Sequence, residues 1–509
     1  MTSTDVLPGR ESLEEPTRSA ARLSQRIVRA LGTNWAFAII LAFAVAQSLA
    51  IAFTAGYGLV YDESYHWGLI KLFASQGTPF VSDPQNHPGF GDLTHFGSFL
   101  YQYLMAGPYA LAEALGLDET NRLMVVRCIT TLIGASSLIW FRKTLRLCGI
   151  SAATTNASLL IFISIPLVPL LFATVNYDNL VLLLGAAFLW CGVRAFVADR
   201  INIRILIAMV GLGSLASLST FLFLPLFAAG VVAVLARQLI TLRHTAWRDR
   251  FDLLSARDVR SPIFWVTVVS AIVGAYYFVA LYIVNLVQFH TPIPDCGRLN
   301  SVAYCSTYAV WDRNHQLLTN GAPKPHFLLS LPGYTLKDWF PGQFLTLALE
   351  GTTGHRDHAT NAIPVLEILA VIAALALVLT INILWKTLAV RFISISGIAF
   401  VAVLFAKNYS DFVALGLPLG VQSRYLMILA PFVIAFSIAG LALIVDRLHP
   451  AAVRWKLWLL IATLAVLSQV GGAVGFFAVA TPTWFSPDSW LGSFGPLISG
   501  LAHRINAIW

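Results

Sequence analysis

Charge is what this chain has least of. Asp, Glu, Lys and Arg make up 11% of its 509 residues, against about 25% in ordinary soluble domains. That shortage excludes an ordinary water-soluble globular protein. Cysteine is scarce as well: there are five, and their spacing makes no metal-ligating pattern. No period of 20–50 residues recurs, so neither a solenoid nor an obvious inverted-repeat transporter is indicated. A cleavable leader is not expected either. Residues 1–33 are polar, with Arg10, Arg18, Arg22, Arg26 and Arg29. They are too long and mixed for a signal-peptide n-region, and the apolar run after them is too long for an h-region. We read 1–33 as a disordered cytoplasmic tail before an uncleaved anchor.

What the chain has instead is apolar length. Hydrophobic residues make up 57% of it, mean hydropathy is +0.74, and the apolar residues come in blocks separated by charged loops. Each block is about the length of a bilayer-crossing helix. The fold class expected is therefore an all-α polytopic membrane protein with about eleven spans. They fall at 35–59, 123–141, 154–174, 179–198, 203–218, 220–236, 262–289, 363–385, 390–406, 425–445 and 455–480.

Segment 97–116 is apolar but short, and carries Gln102, Pro108 and Glu113. Charge decides its place. If it lies on the outer surface, 22 of the 33 basic residues and 9 of the 25 acidic ones fall on the inner side, as the positive-inside bias requires. If it crosses, the arginine cluster between Arg237 and Arg260 moves outside. We therefore expect a juxtamembrane helix at 97–116, a transmembrane domain over 34–480, and outer loops at 60–122 and 290–362. A short outer tail follows at 481–509. Within the second loop, Leu328–Leu349 reads as a short helix lying on the membrane. Cys296 and Cys305 sit in that loop and could form a local disulfide if it faces an oxidising compartment. The formal net charge of +8 reflects distribution across the bilayer, and no nucleic-acid partner is expected.

Polar groups recur at the outer ends of the spans. Val60-Tyr61-Asp62-Glu63-Ser64-Tyr65-His66-Trp67 follows the first apolar run directly. Carboxylates at that depth need work or a partner. Asp62 and His66 are four apart, on one face if a helix starts there. The plain alternative is that Asp62 and Glu63 only end a helix in the headgroup zone. Asp83, His87, Asp92 and His95 follow, then Thr174-Val175-Asn176-Tyr177-Asp178-Asn179, where Asp178 could equally be a helix cap. Lys407, Asp411 and Gln422-Ser423-Arg424-Tyr425 come late in the chain. Carboxylates and cations on one rim suit glycosyl or phosphoryl transfer. A carboxylate accepts the proton of an attacking hydroxyl, and cations hold a departing phosphate.

The order of these elements resembles a family. A first span, Asp62-Glu63, an amphipathic segment, Gln76-Gly77-Thr78-Pro79, the stretch from His95 through Tyr101 to Leu104, two spans and Asn176-Tyr177-Asp178-Asn179 are similar to the GT-C superfamily. These are polyprenyl-phosphate-dependent glycosyltransferases, and the likeness is to the bacterial protein O-mannosyltransferase and aminoarabinose transferase branch. It covers residues 35 to about 225 and returns at Gln422-Ser423-Arg424-Tyr425-Leu426.

The resemblance implies a GT-C-like bundle with periplasmic juxtamembrane helices in a cell inner membrane. It implies an inverting transfer of a sugar from a polyprenyl-phosphate donor to a glycan, lipid or protein acceptor on the outer face. It places catalytic roles on Asp62, Glu63 and Asp178. Substrate contacts would fall on His66, His95, Tyr101, Lys407, Gln422, Arg424 and Tyr425. No cofactor is certain; a divalent metal is possible, with Asp62, His66 and Asp178 as its candidate ligands. Two departures stand out: His95 replaces a basic residue many members carry, and Leu218-Ser219-Thr220-Phe221 lacks the lysine of a common Leu-Thr-Lys element. A transporter or flippase of lipid-linked glycans is the alternative. Transporters, however, usually place polar groups near the midplane, and charges are nearly absent there.

Overall fold

A computed structural model describes residues 25–506, apart from 59–61, 82–85, 96, 242, 244–250, 253–259, 321–323, 348–361, 449–459, 462, 464–470, 481–483 and 487–488. The protein is helical. In order come α1 (Asn34–Thr54), α2 (Glu63–Gln76), α3 (Leu100–Ala114), α4 (Glu119–Leu147), α5 (Ala152–Ile163), α6 (Leu167–Ala173), α7 (Asp178–Val197), α8 (Ile203–Ser219) and α9 (Leu224–Thr241). Then follow α10 (Pro262–Phe278), α11 (Val284–Phe289), α12 (Ala309–Thr319), α13 (Phe340–Leu347), α14 (Ala362–Leu384), α15 (Leu388–Leu415), α16 (Ala430–Leu448), α17 (Gly472–Val479) and α18 (Gly495–Asn506). Ile201–Asn202 and Phe251–Asp252 make a two-residue parallel strand pair. Residues 25–31, expected to be part of an unstructured tail, are helical.

This is a multi-pass membrane protein. Among the described residues six helices are long and apolar enough to cross: α1, α4, α7, Phe221–Thr241, Pro262–Phe289 and α15. The pair α5 and α6 makes a seventh if its 72° bend lies within one span. Ile203–Ser219, Ile368–Leu384 and Ala430–Val445 are shorter apolar helices. Half of the last expected span, 455–480, lies outside the described residues. Segment 97–116 supplies α3, which packs between α2 and α4.

The apolar run expected as a span at 154–174 is thus bent, and Pro166 and Pro169 cause it. Proline has no N–H and clashes with the preceding turn. Carbonyls freed inside an apolar bundle need donors. The Gln47 amide donates to Ile163 O at 2.8 Å, and the Gly472 N–H donates to Ser164 O at 2.6 Å. The break is thus held from two other helices.

Elsewhere the helices close by shape. Apolar side chains gain little from meeting one another when lipid is the alternative, so small residues and close contact carry the association. Gly211 on α8 meets α10 so closely that a Cβ there would stand 2.7 Å from that of Ala271. The α4–α7–α8–α10 row runs through such contacts.

Alternate helix ends gather at opposite poles. At one, Arg142 donates to Asn34 Oδ1 at 2.8 Å, and Asn156 donates to Leu31 O and Thr33 O. At the other lie the end of α1, the start of α2 and the α6–α7 turn. The segment 484–494 seals that pole. Gly56 N–H bonds Trp484 O, Leu491 N–H bonds Phe53 O, and Trp490 donates to Asn121.

The loop after α11 folds back over this pole. Cys296 and Cys305 are joined by a disulfide, with Cα atoms 5.9 Å apart. The module docks on the first loop: Tyr304 donates to Gly91 O at 2.8 Å, and Gly89 N–H donates to Thr307 Oγ1 at 2.9 Å. Helical structure from Leu331 to Leu347, including a π-turn over Tyr334–Trp339, lies where the membrane-surface helix was expected.

Candidate functional site

The site begins with α2. Its buried positions, Glu63, His66, Trp67, Ile70 and Phe73, recur at helical spacing. Gly77 ends the helix in the left-handed conformation at φ 69°. Trp67 and Lys71 both reach Glu119 Oε1, at 2.9 and 3.1 Å, fixing α2 to the start of α4.

Glu63 and Arg127 form a buried clamp. The guanidinium donates to both carboxylate oxygens, and also to the carbonyls of Ala52, Ala55 and Gly56. Val175 N–H donates to Glu63 Oε1 at 3.0 Å. The pair therefore ties together α1, α2, α4 and the α6–α7 turn. Every donor on Arg127 and both oxygens of Glu63 have partners, with 1% exposure left on Glu63. Arg127 was not anticipated, though it is the one charged residue within the expected span 123–141.

Asp62, one residue earlier, differs in every respect. It precedes α2 with φ 62° and ψ 21°, a conformation uncommon outside glycine, and its side chain is 54% exposed. Its Oδ2 lies 3.5 Å from Arg424 Nη2, while Arg424 Nη1 lies 3.8 Å from Asp178 Oδ2. Arg424 is itself buried, on the short turn Ser423–Leu426, with Tyr425 beneath its guanidinium and Tyr425 Oη 3.1 Å away. Burial disfavours the Arg424 charge. Tyr425, Tyr177, Asp178 and Asp62 outweigh it and raise the pKa. The structure thus brings together Asp62, Asp178, Arg424 and Tyr425 from three separate parts of the sequence.

His66 lies alongside, 2% exposed, its ring edge-on to Tyr177 at 4.9 Å. Its Nδ1 pairs with the Gln102 amide at 2.9 Å. Burial, then the nearby positive Arg424, lowers its pKa to about 3. It is neutral at physiological pH.

Other expected residues stand elsewhere. Tyr101 has no exposed surface; its hydroxyl is paired with Thr130 Oγ1 at 2.7 Å, behind His66 in the core. The structure thus encloses it in the core, away from the surface where the resemblance places a substrate contact. His95 pairs with Asp92 at 3.0 Å and packs edge-on to Phe289. Lys407 is half-exposed and engaged with Asp411, one turn along α15. Gln422 precedes the Arg424 turn, its side-chain oxygen buried. His87 bonds Gln76; Asp83 lies outside the described residues.

Arg424 stands at the mouth of a groove. Asp178, Thr220, Arg424 and Tyr425 make the polar end, and Val181, Leu182, Leu222, Phe223, Phe400 and Ile428 line the rest. The groove runs between α7, the turn before α9, α15 and the Arg424 turn. Tyr65 and Tyr308, whose rings lie 5.6 Å apart, flank Asp62 on the other side. Neither they nor Tyr177 figured among the expected residues.

Asp62, His66 and Asp178 are the candidate metal ligands, and His66 Nε2 is buried without a hydrogen-bond partner. The Arg424 cation sits between the two carboxylates, and His66 Nδ1 is taken by Gln102. Among the described residues no group of three His, Cys, Asp or Glu side chains is placed to hold an ion.

No protein-family model and no curated protein matches the chain. Among solved structures it is similar to ArnT from Cupriavidus metallidurans bound to undecaprenyl phosphate. The TM-score is 0.42 at 13% identity, over 94% of this chain and 70% of that one. For the apo state of the same protein the TM-score is 0.39 at 13% identity, over 92% and 75%.

Proposed function

We propose that the protein is a membrane glycosyltransferase that uses a polyprenyl-phosphate sugar as donor. One observation carries this reading: a groove with a buried arginine and an acid at its polar mouth and an apolar lining beyond. A buried cation beside an apolar lining suits the chemistry of a lipid phosphate. The half-exposed carboxylate of Asp62 stands 3.5 Å from the same arginine.

The reaction follows from these groups. Arg424 pairs with the donor phosphate through charge-assisted hydrogen bonds. Asp62 accepts the proton of an acceptor hydroxyl while that oxygen attacks the anomeric carbon. The bond from that carbon to the phosphate oxygen breaks, and its electron pair leaves with the polyprenyl phosphate. A single displacement inverts the configuration. Arg424 meets the negative charge that grows on the leaving phosphate. Asp62 then returns its proton to water. Asp178, across the guanidinium from Asp62, orients Arg424. Glu63, being locked to Arg127, positions Asp62 and does not touch substrate. The acceptor, a glycan, lipid or protein, approaches from the outer face past Tyr65 and Tyr308.

Lipid-linked sugars and surface glycans should be compared by mass spectrometry in a deletion strain carrying the wild-type gene or Asp62→Asn. Accumulated donor and a missing glycan sugar in both the deletion and the Asp62→Asn strain are expected. Identical profiles in all three strains would overturn the proposal. A donor trapped on the inner face would indicate a flippase instead.

A further inference from the structure

Beside Arg424 lies a second group of polar atoms that this reaction does not use. Trp339, the last residue of the π-turn, and Gln343 and Thr346 of α13 follow at spacings of four and three residues that keep them on one face. All three are buried, with Gln343 6% exposed. Thr346 fixes the position of that face. Its Oγ1 pairs with Ser423 Oγ at 2.7 Å and accepts the Ser423 N–H at 2.9 Å. Gly342 comes so near residue 421 that a Cβ on it would lie 2.9 Å from Val421 Cγ1. The inward face of α13 is therefore pressed on residues 421–423, the residues that lead into Arg424.

On that face the hydrogen-bonding capacity is unspent. Gln343 Nε2 and Oε1, Trp339 Nε1 and Gln422 Oε1 are all buried without partners. A buried amide with neither end bonded is costly. Native interiors pair most such groups, and each exception calls for a partner or another physical reason. The four atoms are two donors and two acceptors, and none is charged. Such a set matches a neutral polyol, whose hydroxyls donate and accept at once. It offers no counter-ion to a carboxylate or an ammonium group.

We propose that Gln343, with Trp339 and Gln422, forms the subsite that binds the sugar carried by the donor, and that this sugar is neutral. The placement follows from the chain: Ser423, which Thr346 holds, immediately precedes Arg424, and the transferred sugar adjoins the phosphate. The inference rests on the lipid-phosphate reading above and deepens it.

The test uses purified full-length protein in detergent, with binding read by native mass spectrometry. Probes are undecaprenyl phosphate and its glucose, mannose, galactose and glucosamine conjugates. The wild type should bind at least one neutral conjugate about tenfold tighter than the bare phosphate, the scale of one or two buried hydrogen bonds. It should not favour the glucosamine form over the neutral ones. Gln343→Leu should abolish the preference and leave undecaprenyl phosphate binding unchanged. Its melting temperature should be equal or higher, because the substitution removes an unpaired buried amide. An unaltered preference in Gln343→Leu overturns the proposal, as does a wild type that prefers no conjugate while binding the bare phosphate. A wild type that binds none of the five lipids overturns the underlying reading as well. Arg424→Ala separates the two, since it should weaken all five alike.

Discussion

Arg127 and Glu63 face each other through two parallel contacts, 2.9 Å from Nε to Oε1 and 2.7 Å from Nη2 to Oε2, in a place where neither side chain meets solvent. They are 64 positions apart in the chain, and three carbonyls at the end of α1 complete the arginine's shell. A pair so deep is valued for what its removal leaves behind. Two ions cost much to desolvate, and well-formed contacts return about that amount.

Arg127→Met should therefore be severe, because it strands a buried carboxylate. A loss of about 3–5 kcal/mol is expected for breaking one side of such a pair. Glu63→Met should be similar. The double variant should be less destabilised than the sum of the singles, since neither charge is then left unmatched. Thermal unfolding in detergent across the four proteins gives the coupling. Additive losses would mean that the pair is not the clamp described.

Asp62 should show the reverse profile. Asn tolerates the left-handed backbone at φ 62°, so Asp62→Asn should fold and insert as the wild type does. Transfer should fall by about 10²- to 10⁴-fold, the usual contribution of a general base. Asp62→Val should in addition lose stability, because a β-branched residue is strained there. Wild-type turnover by Asp62→Asn with a competent donor would leave Asp62 as only a helix-end carboxylate.

The disulfide module makes a third case. Tyr304 and Thr307, beside Cys305, dock on the loop between α2 and α3. Cys305→Ser should release the short closed loop, a change of about 2–3 kcal/mol on chain-entropy grounds. Limited proteolysis should then cut within 290–308, where the oxidised wild type resists. Equal resistance with and without reductant would show that docking alone holds the module.

How much of this was legible beforehand depended on distance along the chain. Bilayer-length runs fixed the helical class, and the polar helix ends gave Asp62, Asp178, Arg424 and Tyr425, because each stands beside an apolar run. The roles within that set did not follow. Glu63 and Asp62 are adjacent, yet one turns into the bundle and the other to solvent, which only the left-handed turn at 62 decides. Arg127 carried a signal of its own, a lone charge inside a span, but its partner could not be read from sequence. Tyr101 and His95 sit in the segment that carries the family likeness. There the helix rotation of α3 and the loop path aim them away from the groove. Pro166 and Pro169 lie inside the run 154–174 that read as one span; the bend they cause, and its satisfaction by Gln47 and Gly472, came only with the structure.

His66 offers a test by pH. Burial and Arg424 hold its pKa near 3 in the folded protein, against about 6.5 in an unfolded chain. The folded state thus binds fewer protons than the unfolded state between those values. By linkage, the stability tied to a neutral His66 is fully present above about pH 6.5 and is lost as pH falls from there toward 3. Replacing His66 with Gln removes the titration while keeping a polar group beside Gln102. Melting temperatures of wild type and His66→Gln should therefore converge, or cross, as pH is lowered from 7 to 4, the wild type falling more steeply. Carboxylates common to both proteins cancel in that comparison. Parallel curves over the whole range would mean that His66 takes up a proton in the folded protein near its ordinary pKa, and that the ring is not sealed between Tyr177, Gln102 and Arg424 as the structure has it.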